Sequence, residues 1–212
     1  MHALYETKKL HKKEKNMNVK DSIRKRLNKS FAIISLVCSI GLVICGISLF
    51  AISSQYHNAL TNYGFAQGDI GKAMTTFSET RSALRAVIGY DNESEINSEK
   101  KNYETKKKAF EGFMQDIESK MMTKAGKEAY QQAESALNGY WTKADAILQQ
   151  GSTTDKIASS AAQHKEIDEL GPMYDEIYAS LKNIMDIKVA KGNSVQGTLN
   201  VVKYILIILT VL

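Results

Sequence analysis

The chain has 212 residues, a formal net charge of +5, a sequence pI near 9.0 and a mean hydropathy of −0.28. One proline and thirteen glycines are too few to punctuate a many-stranded sandwich or barrel, two cysteines cannot build a disulfide framework, and four scattered histidines offer no metal-binding spacing. The charge is uneven: residues 1–30 hold ten Lys/Arg against three Asp/Glu, whereas residues 54–200 hold seventeen against twenty, so the basic excess belongs to a short tail and no nucleic-acid partner is expected.

In chain order, the first element is that basic tail, residues 1–30. Met17 begins a conventional signal-anchor opening, MNVKDSIRKRLNKS, and the sixteen Lys-rich residues before it have no apolar period. Met17 is therefore the expected start. Phe31 to Ile52 follows as 22 residues without a charge, about 33 Å of helix, enough to cross a hydrocarbon core of roughly 30 Å. A cleaved signal peptide would have a shorter apolar region, so residues 31–53 read as a retained membrane span with lipid as its partner. Arg24, Lys25, Arg26 and Lys29 flank it, which puts residues 1–30 in the cytoplasm and residues 54–200 outside a bacterial plasma membrane. Ser35, Cys38, Gly41, Cys45 and Ser48 form a stripe of small residues on this helix, a candidate dimer seam. Seven residues separate the two cysteines, too far along one helix for a disulfide.

Residues 54–200 keep an apolar rhythm of threes and fours broken by three polar turns, which predicts four helices. The first carries Tyr56, Leu60, Tyr63, Ile70, Met74, Phe77, Leu84 and Ile88, with Gln67 and Arg81 on the same seam, and stops at Tyr90–Ser94. The second carries Tyr103, Phe110, Met114, Ile117 and Met121 and turns at Thr123–Gly126. The third carries Tyr130, Ala133, Leu137, Tyr140, Ala144 and Ile147, with Gly151 expected as the residue just past its end. Ser152–Asp155 supplies N-cap candidates. The fourth carries Ile167, Leu170, Tyr174, Ile177, Leu181 and Ile184, with a bend expected at Pro172. The expected fold is all-α: a membrane-anchored, antiparallel up-down four-helix bundle whose long first and last helices continue into spans. Residues 201–212 are apolar apart from Lys203 and read as the start of a truncated second transmembrane helix.

No nucleophile–base pair, phosphate loop or metal spacing stands out, so neither catalysis nor a cofactor is expected. Arg81 and Arg85 are the only arginines among the seventeen basic residues of the outer segment, and at i,i+4 they share a helix face. Two guanidinium forks on one face can hold a carboxylate or phosphate. A guanidinium on a seam can equally be satisfied by a carboxylate of another helix. Tyr140, Trp141, Tyr174 and Tyr178 are candidate walls for such a site, with Tyr174 and Tyr178 its candidate ligand contacts.

The lead and span from Met17 to Ile52, the stretch YGFAQGDIGKAMTTFSETRSALRAVI at 63–88 and the stretch ELGPMYDEIYASLKNIMDIKVAKGNS at 169–194 together resemble the N-terminal part of a methyl-accepting chemotaxis protein with a four-helix-bundle sensor. The resemblance implies a homodimer that binds a small anionic or amino-acid ligand outside the membrane. Partners that couple such a receptor to a kinase would bind only through the missing C-terminal part. Histidine kinases and membrane-bound cyclases carry similar sensors and are the alternative reading, as is a structural or adaptor protein without a ligand.

Overall fold

A computed structural model describes the backbone of residues 2–211 and the side chains of residues 21–208. The start expected at Met17 concerns residues whose side chains lie outside that description. Among the described residues every element is helical: α1 (His2–Ala59), a π turn (Leu60–Gly64), α2 (Phe65–Gly89), α3 (Glu93–Ser119), α4 (Lys124–Gly151), α5 (Lys156–Lys165), a second π turn (Glu166–Leu170) and α6 (Gly171–Val211). The chain divides into two compact units, one of residues 1–53 with 202–212 and one of residues 54–201.

In the first unit, α1 presents its apolar residues outward: Phe31, Leu42 and Phe50 are 64%, 74% and 78% exposed. One helix among the described residues is thus long and apolar enough to cross a membrane, and none of its apolar window is buried by the chain itself. Ser35, Cys38, Gly41, Cys45 and Ser48 all lie on α1. Nothing lies within 4 Å of where a Cβ on Gly41 would stand. Cys45 lines a hollow of about 250 Å³ with Leu49, Ile52 and residues of the C-terminal segment, including Leu206.

In the second unit, α2, α3, α4 and the α5–α6 rod make the four helices of a bundle. Each turn is closed by a side-chain cap. Asn92 accepts from the Ser94 and Glu95 N–H groups, Thr123 from Gly126 and Asp155 from Ile157; each such cap contributes about 1 kcal/mol. The seams expected of α3 and α4 are buried throughout, from Tyr103 to Met121 and from Tyr130 to Ile147. Phe77, fully buried on α2, is the hub: its ring lies 5.3 Å from Phe110 on α3, 5.0 Å from Tyr140 on α4 and 5.1 Å from Tyr174 on α6.

The structure corrects three sequence expectations. Tyr56 and Leu60 are exposed, and the buried face of the first helix begins at Ala66, past the first π turn. Ile167 is 59% exposed while its neighbour Glu166 is 2% exposed. Here the second π turn, in which the Gly171 N–H bonds to Glu166 O, holds one more residue than an α turn and breaks the expected phase. That wide turn sits immediately before Pro172, whose missing N–H would leave a gap in an ordinary α ladder, so the anticipated bend takes the form of a bulge. Gly151, finally, is the last helical residue and has no positive φ. It is small because α2 and α5 press on it: a Cβ there would stand 2.8 Å from both Ile88 Cβ and Ala162 Cβ. Neither obstacle is the tip of a flexible side chain, so Gly151→Ala is expected to destabilise the unit by about 1–3 kcal/mol, as overpacked cores do. Circular dichroism melts of the full chain in detergent measure this.

Candidate ligand-binding site

Arg81 and Arg85 rise from α2 one turn apart and close on a single carboxylate, Glu166, at the start of the second π turn. Arg81 Nε donates to Glu166 Oε1 at 2.7 Å, and Arg85 Nε lies 2.8 Å from Oε2. The Glu166 side chain is 2% exposed, Arg81 14% and Arg85 52%. The π turn is what turns Glu166, rather than Ile167, into the bundle. It is gripped from the other side as well: Lys143 of α4 bonds Glu169 at 2.6 Å, and that hydrogen bond and charge hold the Glu169 carboxyl below its usual range.

An aromatic stack continues the cluster. The Arg81 guanidinium lies 4.4 Å from the centre of the Tyr174 ring. Tyr174 stacks on Phe77 at 5.1 Å and on Tyr178 at 5.8 Å, and its hydroxyl shares a 2.5 Å hydrogen bond with Ser78 Oγ. Of the four expected wall residues, Tyr174 and Tyr178 belong to this cluster. Tyr140 and Trp141 pack instead around Phe77 in the core. Burial drives the Tyr140 phenol well above its usual range; the Arg81 charge opposes that shift and the Glu166 charge adds to it. Two guanidiniums share one carboxylate, so the cluster keeps one excess positive charge, carried nearest the surface by Arg85.

Sequence reasoning missed two buried charges. Glu166 sits in a run, Glu166-Ile167-Asp168-Glu169, in which no periodicity singles it out. Lys188 was similarly unremarkable, yet it is 3% exposed. Its ammonium donates to Asn62 O at 3.1 Å and, closely, to Lys120 O, and stands 5.5 Å from the Tyr63 ring centre. It thus ties α6 to the first π turn and to the last carbonyls of α3, which an α-helix leaves unpaired. Lys120 itself is held by Asp69 of α2 at 2.5 Å. Burial, with the Lys120 charge adding to it, lowers Lys188 to about 8.

Two measurements test this reading. Glu166→Gln strands two guanidiniums and is expected to cost about 3–5 kcal/mol in chemical unfolding; if the loss is under about 1 kcal/mol, the cluster does not hold the bundle. For Lys188, both folded and unfolded states keep the proton below pH 8, and the native state bears the cost of the buried charge. From there to about pH 10.4 the native state gives up the proton first, so this residue makes stability rise with pH. Lys188→Met is expected to flatten that rise in thermal unfolding between about pH 7.5 and 9.5. Tyr103 and Tyr140, held protonated by burial, act in the opposite sense only above about pH 10.

No curated protein and no solved structure matches the chain. A family model described as a four helix bundle sensory module for signal transduction matches residues 5–200. That match takes in α2 through the α5–α6 rod, with both arginines, Glu166 and the tyrosine stack, and nearly all of the chain: it belongs to the family of four-helix-bundle sensory modules for signal transduction.

Proposed function

We propose that the chain is the ligand-sensing part of a bacterial transmembrane chemoreceptor and not an enzyme. In this reading residues 31–53 span the plasma membrane, residues 1–30 face the cytoplasm, and residues 54–200 form an antiparallel bundle outside, working as a homodimer. Membership of the sensory family supports it, as do the outward apolar surface of α1 and the basic flank before it. The antiparallel order is supported by the pairs between α2 and α3, Asp69 with Lys120 and Glu79 with Lys106, in which residue numbers rise on one helix as they fall on the other.

The ligand is a small anion or an amino acid held by its carboxylate at Arg81 and Arg85, against Tyr174 and Tyr178. The observation that carries this is the unbalanced charge: Glu166 neutralises one of two guanidiniums, and Arg85 is half exposed. A carboxylate arriving there gains charge-assisted hydrogen bonds of about 1.5–3 kcal/mol each. It also competes for the side chains that fasten α2 to the π turn, so that binding shifts helix four relative to helix one.

Thermal unfolding of the full chain in detergent, with panels of amino acids and organic acids, tests the proposal. One chemical class is expected to stabilise the fold by about 2–3 kcal/mol at a hundredfold excess over Kd, and Arg85→Ala is expected to abolish that gain. A flat response across the panels would overturn the ligand assignment.

A further inference from the structure

The hollow of about 250 Å³ in the first unit is chemically lopsided. Cys45, Leu49 and Ile52 of α1 and Leu206 and Ile207 of α6 line it without a charge, and Lys203 supplies one ammonium. On α1, Cys45, Ser48 and Ile52 are half-buried while the residues between them are exposed, so this stripe marks where the two segments of the unit meet. Beside the stripe the hollow stays open: Leu49 is 65% and Ile207 47% exposed.

A second, independent feature comes from the sequence. No Asp or Glu occurs between Asp21 and Asp69, and none follows Asp186. Neither stretch that lines the hollow therefore carries a side-chain carboxylate for Lys203. Among the described residues its ammonium makes one electrostatic contact, with the ring of the adjacent Tyr204, 5.8 Å from the ring centre. The anion that balances it comes from outside these two segments.

Walls and charge together select the occupant. Apolar walls of this kind do not hold water. Two copies packed hollow to hollow about a twofold axis would set Lys203 against its equivalent, and like charges out of water repel strongly. An acyl chain suits the walls, and a phosphate suits the ammonium. In the reading of residues 31–53 as a membrane span, on which this inference rests, Ile52 ends the uncharged run. It lines the hollow with Lys203, a lysine near the end of the apolar segment that can reach the headgroups. Cys45 lies about 10 Å deeper along α1, so the hollow runs inward from the charge. We propose that it seats an acyl chain of an anionic phospholipid, with the Lys203 ammonium on the lipid's phosphate.

Native mass spectrometry of the full chain released from nanodiscs of equal phosphatidylglycerol and phosphatidylcholine tests it. The chain is expected to retain phosphatidylglycerol in preference. Lys203→Gln is expected to lower the ratio of the two retained lipids by about fivefold, the effect of one lysine near an anionic headgroup. Lipid held at the basic flank, residues 24–29, is common to both proteins, so the difference reads Lys203. Leu49→Trp fills the hollow from an exposed position and is expected to remove one retained phosphatidylglycerol per chain. Lys191→Gln, the same charge change on α6 outside the hollow, is expected to match the parent. The proposal is overturned if Lys203→Gln keeps the parent's ratio, or if Leu49→Trp keeps its number of retained lipids. Alkaline carbonate extraction from vesicles reads the span separately. A chain that washes off overturns the span reading and this inference with it, whereas one that stays without the lipid preference overturns this inference alone.

Discussion

A carboxylate that is 2% exposed must be met by positive charge, and much of the second unit follows from that requirement at Glu166. Its two oxygens take one arginine each from α2, which fixes the axial position of the α5–α6 rod against the first helix of the bundle. Replacing the cluster with apolar groups of similar volume would serve stability as well or better.

The cluster is coupled to the core through one ring. Tyr174 lies between Arg81 and Phe77, and Phe77 reaches aromatic partners on each of the other three helices. A change in the Arg81 contact is therefore felt first at the aromatic layer around Phe77, where close packing favours discrete rearrangement over gradual deformation. At the other end, Lys188 fastens α6 to the first π turn and to the end of α3. The two buried charges bracket the rod, one near its start and one farther along.

The helices and turns were legible in the sequence because their signals are local. Periods of three and four gave the buried faces of α3 and α4, and Asn92, Thr123 and Asp155 cap where polar turns were expected. The arginine pair was legible by composition, as the only two arginines in the outer segment. Its partner was not, because a π turn adds a residue without any sequence mark and exchanges Ile167 for Glu166 at the core. Gly151 was read as a conformational stop, whereas its role is a close approach that depends on residues 63 positions earlier and 11 later, Ile88 and Ala162. Nothing in the sequence marks Lys188, because its partners come from two distant elements, the first π turn and the end of α3.

The first π turn, Leu60–Gly64, has a bearing on how such chains can differ in length. Five residues there cover the rotation that an ordinary turn covers with about four. Excising one would regularise the helix and leave every side chain from Ala66 onward on its present face. The segment is a reserve of slack between the apolar α1 and the packed α2. A chain shorter by one residue there would keep the phase of its core.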